Sequence, residues 1–139
     1  NKKMCLEIYN QLKKAKEDFN LHVGFSGGFP LCLLPEINKE SIKMVGNYCD
    51  AGLNQIIIGP EGELRPCVCL GEKLGNILED DLKEIWKNNS FLLDIRAMKF
   101  VPKECQKCQY VSVCRGGCRA SAQGYFGKLN AIDPLMKDE

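Results

Sequence analysis

Nine cysteines stand in 139 residues, and four of them crowd one short segment as Cys105-x2-Cys108-x5-Cys114-x3-Cys118. Two intervening residues let both sulfurs of a pair face one centre, and a turn-rich loop lets further thiolates join them. Cys67 and Cys69 are separated only by Val68, while Cys5, Cys32 and Cys49 are scattered. Disulfides, ligation of metal or iron–sulfur, and burial as inert thiols compete for such a set. An odd count leaves one thiol over in any disulfide scheme, and the segment after Asn1 does not read as a secretion signal. Ligation is therefore the reading for the run of four. With His22 as the only histidine, no His-based metal cluster or His-centred triad can be drawn, and His22 reads as an ordinary strand residue.

The elements that must position these thiols can be read from periodicity. Met4, Cys5, Ile8, Leu12, Ala15 and Phe19 recur at helical steps, which predicts an amphipathic helix over 2–19 with Cys5 as a small buried hydrophobe. Leu21 to Phe25 reads as a short strand followed by a glycine loop, the alternation of an α/β unit. An apolar connection with two prolines, Pro30 and Pro35, leads to a short helical turn within 36–45. Gln55–Ile58 and Leu64–Val68 flank the turn chemistry of Gly59–Gly62, which predicts a β-hairpin with Cys67 at its far end. Gly71–Asn76 reads as a loop. Leu82, Ile85 and Trp86 mark a helix near 80–88 started by Asp80 or Asp81, and Ser90 is placed as the cap of a second helix. Trp86 reads as a packing anchor. Pro102 ends that stretch, residues 103–118 have little periodicity, 119–126 read as a short helix, and Asp133-Pro134 reads as a terminal turn.

Composition narrows the function classes. The formal net charge is +1, so no field draws nucleic acid or an anionic membrane to this chain, and neither is expected as a partner. With 45% hydrophobic and 27% charged residues, the chain can build a core and stay soluble. The longest aliphatic run, Ile56–Ile58, falls far short of a bilayer span, and a cytoplasmic location is expected. The start at Asn1 reads as an excised or processed end.

Two spacings together are specific: Cys49-x12-Gly62-x4-Cys67, and the run Cys105-x2-Cys108-x5-Cys114-x3-Cys118. Beside them stand Gly75-Asn76-Ile77 and Arg115-Gly116-Gly117-Cys118-Arg119. Over about residues 45–136 this set resembles the SPASM domain, the auxiliary-cluster extension of many radical S-adenosylmethionine enzymes. The resemblance implies an α+β fold: a small cysteine-rich domain (43–139) with a β-hairpin, short helices and a cluster-organised loop. It makes 1–42 the helix–strand end of a preceding partial (β/α) barrel. It also implies a ligand division, with Cys49, Cys67 and Cys118 on a first cluster and Cys105, Cys108 and Cys114 on a second. Up to two 4Fe–4S clusters are expected. Cys32 and Cys69 are candidates for the missing fourth ligand of the first cluster, with an open iron as the third possibility. The family's seventh cysteine follows a D-P dipeptide; here Asp133-Pro134 leads to Met136 at that place, with Asp133 as a candidate oxygen ligand for the second.

The C-x3-C-x2-C run that reductively cleaves S-adenosylmethionine is absent, so this chain alone is expected to be inactive. The parent protein would bind S-adenosylmethionine through the missing barrel and act on a peptide or protein substrate, with the clusters serving electron transfer or substrate anchoring. Arg115 and Arg119, flanking Cys118, are candidates to stabilise a reduced cluster or contact substrate, against a plain surface role. The rival reading is a four-thiolate structural zinc module without redox activity, and zinc is also a plausible substitute metal in a recombinant fragment.

Overall fold

The computed structural model describes residues 2–25, 27–45 and 49–137. It has the α+β composition expected, with short helices, a small antiparallel sheet and many cysteines. The chain forms two compact units, one of Asn1–Cys49 with Val101–Glu139 and one of Asp50–Phe100.

In the first unit, helix α1 spans Lys2–Phe19 and buries Cys5 and Tyr9, with Leu12 packed beside them. The buried stripe is thus rotated from the one expected: Met4, Ile8 and Phe19 are exposed. The core continues through Phe29, Leu31, Leu33, Leu34 and Met44, and Tyr110, Val113, Cys114 and Leu135 pack against it. Leu31–Leu33 is a 3-10 turn that buries both leucines and leaves Cys32 between them exposed. Helix α2, Lys39–Val45, is entered through a reciprocal cap, in which Asn38 N–H donates to Ser41 Oγ and Ser41 N–H donates to Asn38 Oδ1, both at 2.9 Å. Residues 21–25 do not form the strand expected of them. Among their described backbone bonds is Phe25 N–H to the Met44 carbonyl at 2.9 Å, and a strand exists only where a neighbour completes its ladder.

In the second unit, β1 (Ile57–Ile58), β2 (Glu63–Arg65) and β3 (Gly75–Asn76) form an antiparallel sheet in that order. The hairpin is where the turn residues put it, with Ile58 opposite Leu64. Gly62 closes the turn at a φ of 82°, and a Cβ there would fall 2.5 Å from Asn76 Oδ1. That approach lets Asn76 donate to the Glu61 carbonyl and pin β3 to the turn. β3 replaces part of the expected 71–76 loop; two residues are too few to leave an alternating pattern. Leu64, Leu74 and Leu92 form the core.

Helix α3 (Leu82–Asn88) is capped by Asp81, whose carboxylate accepts from Lys83 and Glu84 N–H. The cap of α4 (Ser90–Arg96) is Asn89, one residue before the expected Ser90; its carboxamide oxygen accepts from Phe91 and Leu92 N–H while its amide donates to the Leu74 carbonyl. Trp86 lies under the Arg96 guanidinium, 4.4 Å from its ring centre, and Arg96 also donates to the Trp86 and Gly52 carbonyls. These contacts make Trp86 a packing anchor within this unit.

Candidate cluster site

The four-cysteine segment folds as consecutive tight turns rather than as an unstructured loop. Lys103–Cys105 is a 3-10 turn opened by Pro102, and Cys105 N–H donates to the Pro102 carbonyl at 2.9 Å. Cys108 N–H then bonds the Cys105 carbonyl, and Val111 N–H the Cys108 carbonyl, both at 3.0 Å. Helix α5, Val111–Cys114, ends on Arg115 in the left-handed region, and Gly116-Gly117 reverse the chain into helix α6, Arg119–Phe126. Short turns of this kind bring sulfurs that are distant along an extended chain into one neighbourhood.

Backbone amides point at the sulfurs. Tyr110 N–H donates to Cys108 Sγ at 3.4 Å, Ser121 N–H to Cys118 Sγ at 3.4 Å, and Leu31 N–H to Cys114 Sγ at 3.5 Å. Each such bond stabilises thiolate charge. Burial first, and then the neighbouring Cys114, Cys32 and Cys108, push the Cys105 thiol above its ordinary range. Burial first, and then Cys114, do the same to Cys32, with Cys108 adding to it and Lys2 opposing. Cys32, Cys105, Cys108 and Cys114 therefore lie within electrostatic reach of one another. A group that would repel its own charges as free thiolates is one that a cation-rich centre stabilises.

Two residues brace this segment in ways the sequence did not disclose. Asp133 is buried, with Oδ2 accepting from Cys118 N–H at 2.7 Å and Oδ1 from Leu135 N–H at 2.9 Å. Both oxygens are thus engaged by backbone, the behaviour of a turn aspartate. Burial raises its pKa, against these two bonds and Arg119. Arg119 donates to the Leu129 carbonyl at 2.7 Å, the Ala131 carbonyl at 2.6 Å and the Gly116 carbonyl. Its guanidinium is an internal tie between the cysteine loop and the segment that follows α6, and surface solvation does not describe it. Burial lowers its pKa, with Asp133 and nearby cysteines opposing. Gly117 has a φ of 84°, and a Cβ on it would meet Asp133 Oδ2 at 2.6 Å and Pro30 at 2.9 Å. Only glycine lets these three segments close together.

The remaining sequence candidates divide between the units. Cys49 and Cys118 are half-buried and belong to the first; Cys67, half-buried, and Cys69, exposed, follow β2 in the second. Met136 ends a 3-10 turn, Pro134–Met136, capped by Asp133. Among the described residues no disulfide joins any cysteines, and no three His, Cys, Asp or Glu side chains close on a single metal ion. Zinc holds four sulfurs at about 2.3 Å from one point, whereas the thiolates of a multi-iron cluster stand further apart. The donor chemistry, an all-thiolate neighbourhood with backbone N–H groups directed at sulfur, fits a thiolate-bound metal or iron–sulfur centre.

Comparison with known proteins bears on which centre such thiolates serve. Residues 49–109 match the model of an iron–sulfur cluster-binding domain. That domain family is SPASM, and the matched span is a little under half of the chain. The chain is 30% identical over 95 residues to a PqqA peptide cyclase of Xanthomonas axonopodis pv. citri, an alignment covering 64% of this chain and 26% of the relative. It is 32% identical over 87 residues to an AdoMet-dependent heme synthase of Nitratidesulfovibrio vulgaris, covering 63% and 23%. A cysteine-type anaerobic sulfatase-maturating enzyme of Clostridium perfringens is 31% identical over 84 residues, covering 55% and 23%. The chain thus spans about a quarter of the length of these relatives. No solved structure matches it. Among the described residues no helix is long and apolar enough to cross a membrane.

Proposed function

We propose that this chain is the auxiliary-cluster region of a radical S-adenosylmethionine enzyme that modifies a peptide or protein. The observation that carries the reading is the coincidence of the SPASM match with six cysteines at the family's spacings. Two relatives bear names that specify a peptide or a protein as substrate, PqqA peptide and sulfatase, and a third is named for dependence on AdoMet. In this reading residues 1–42 close a preceding barrel that holds S-adenosylmethionine, and 43–139 form the auxiliary domain. The exposed apolar residues Met4, Ile8 and Phe19 of α1 offer a face for that barrel to cover.

Cys49, Cys67 and Cys118 would hold one 4Fe–4S cluster, and Cys105, Cys108 and Cys114 the other. When bound, such clusters accept or pass single electrons, or offer an open iron to substrate. The chain's own part is to orient the thiolates and set their charge. The N–H bonds to Cys108, Cys114 and Cys118 withdraw negative charge from sulfur and so favour the reduced state. Arg119 adds a cation near Cys105, Cys118 and Cys114, fixed by its carbonyl ties, so that it acts through position rather than by reaching substrate.

Anaerobic reconstitution followed by iron and acid-labile sulfide analysis tests the reading. Two clusters are expected, and replacing Cys49 or Cys67 should remove one spectral component and spare the other. Stoichiometric zinc without sulfide, at a tetrahedral thiolate site, would establish the structural zinc module instead.

A further inference from the structure

We infer that Cys32 is the fourth protein ligand of the cluster held by Cys105, Cys108 and Cys114, taking the role that the missing cysteine at Met136 would have had. This rests on the cluster-binding function proposed above and reassigns Cys32 from the first cluster, where the sequence alone had made it a candidate.

The connection before α2 is laid directly on the cysteine loop. Leu31 N–H donates to Cys114 Sγ at 3.5 Å, and the same sulfur lies 3.9 Å from the Phe29 carbonyl as its thiol donor. A Cβ on Gly28 would touch the Gly117 backbone at 3.0 Å, and Pro30 is buried against Gly117 on the same path. Gly28 through Leu31 therefore runs along the loop from Gly117 to Cys114, and Cys32 is the next residue, one Cα step of about 3.8 Å further on.

The 3-10 turn then decides which way its side chain faces. Leu31 and Leu33 are driven into the core, at 2% and 4% exposure, and Cys32 between them is turned out. An apolar core residue would follow the leucines inward. Here a thiol is held at the edge of the core, one residue beyond the Leu31 N–H that bonds Cys114 Sγ. Cys5, by contrast, sits inside the core.

Among protein groups near the loop, a thiolate suits the fourth position best. Both oxygens of Asp133 accept backbone N–H bonds, and a thioether such as that of Met136 binds iron less well than a thiolate. A ligand from the connection before α2 would also tie that connection to the cysteine loop through the cluster.

The test uses the full chain, reconstituted anaerobically with ferrous iron and sulfide, as wild type and as Cys32→Ala, Cys32→Ser, Cys105→Ala and the core control Cys5→Ala. Iron and sulfide are counted, Mössbauer spectra recorded, and cysteine alkylation by iodoacetamide mapped before and after loading. Cys32→Ala is expected to lose the same spectral component as Cys105→Ala, while Cys5→Ala keeps wild-type content. Cys32 should be alkylated at least ~10-fold more slowly once the protein is loaded, since its sulfur is then bound to iron. The wild-type alkylation pattern keeps the test decisive if the alanine variant folds poorly, as does Cys32→Ser, which preserves size and polarity. An unchanged spectrum in both Cys32 variants, with loss in Cys105→Ala, overturns the assignment and leaves the cluster reading standing. Equal alkylation of Cys32 before and after loading overturns it likewise. Absence of sulfide-bearing iron from the wild type overturns the cluster reading itself.

Discussion

Replacing Arg119 by alanine should weaken the cysteine loop more than any surface substitution in the chain. Its guanidinium donates to the Leu129, Ala131 and Gly116 carbonyls, with a longer contact to the Gly117 carbonyl at 3.4 Å. Hydrogen bonds to a charged donor contribute about 1.5–3 kcal/mol each, and carbonyls left unsatisfied in partly buried surroundings add to the loss. Against this stands the cost of burying the cation, which the lowered pKa of Arg119 records. The net loss should be about 3–5 kcal/mol, close to that of breaking a buried charged network. With a urea slope of about 2 kcal/mol per molar, the unfolding midpoint should fall by roughly 1.5–2.5 M. Arg119→Lys should recover only part of it, since one ammonium cannot reproduce the planar fork that reaches three carbonyls. Far-UV circular dichroism under urea, performed anaerobically on loaded protein, gives the midpoint, and amide exchange over 116–131 locates the loss. A midpoint within about 0.5 M of wild type in Arg119→Ala, with unchanged exchange, would refute the role of Arg119 as an internal tie.

Further substitutions probe the supporting elements. Asn89→Ala removes the α4 cap and the bond to the Leu74 carbonyl and should cost about 1–2 kcal/mol, read from the thermal unfolding of the Asp50–Phe100 unit by Trp86 fluorescence. Gly117→Ala places a Cβ against Asp133 and Pro30 at a positive φ, which should cost about 1–3 kcal/mol and slow cluster assembly in an iron-uptake time course. The Lys16–Glu40 pair, 2.9 Å apart, lowers the Glu40 pKa through its hydrogen bond to Lys16 and then through charge. A depressed carboxylate contributes stability above its ordinary value of 4.5 that is lost as pH falls through the lowered one. Lys16→Ala should therefore differ slightly from wild type at neutral pH and match it once the pH falls below the lowered value, or in high salt.

The chemistry was more legible in the sequence than the positions that support it. Cysteine spacing is a direct constraint on ligation, so the run from Cys105 to Cys118 and the Cys49–Gly62–Cys67 pattern pointed to the SPASM domain without any structure. Turn chemistry at Gly59–Gly62 likewise placed the hairpin, and α1 and α6 were found at the expected residues. The misreadings share a cause. Residues 21–25 have strand composition but pair with no strand among the described residues, and β3 is too short to show alternation yet has a strand partner. Neither fact resides in local sequence.

The site shows the same division. Asp133 looks like a turn residue and Arg119 like a surface cation, because their partners, the Cys118 amide and the Leu129 and Ala131 carbonyls, are set by how the loop closes. Cys32 belongs to no motif. Its proximity to Cys114 arises from the packing of the Gly28–Leu31 connection on the cysteine loop, a contact between segments far apart in sequence.

The central claim is that the thiolates of this chain hold two iron–sulfur clusters. It is tested most directly by iron, sulfide and zinc analysis with Mössbauer spectroscopy on anaerobically reconstituted protein, comparing wild type with Cys67→Ala and Cys105→Ala. Iron and sulfide are expected in equal amounts sufficient for two clusters, with each variant losing a different one. Tightly bound zinc without sulfide, or loss of all iron in both variants, would contradict it.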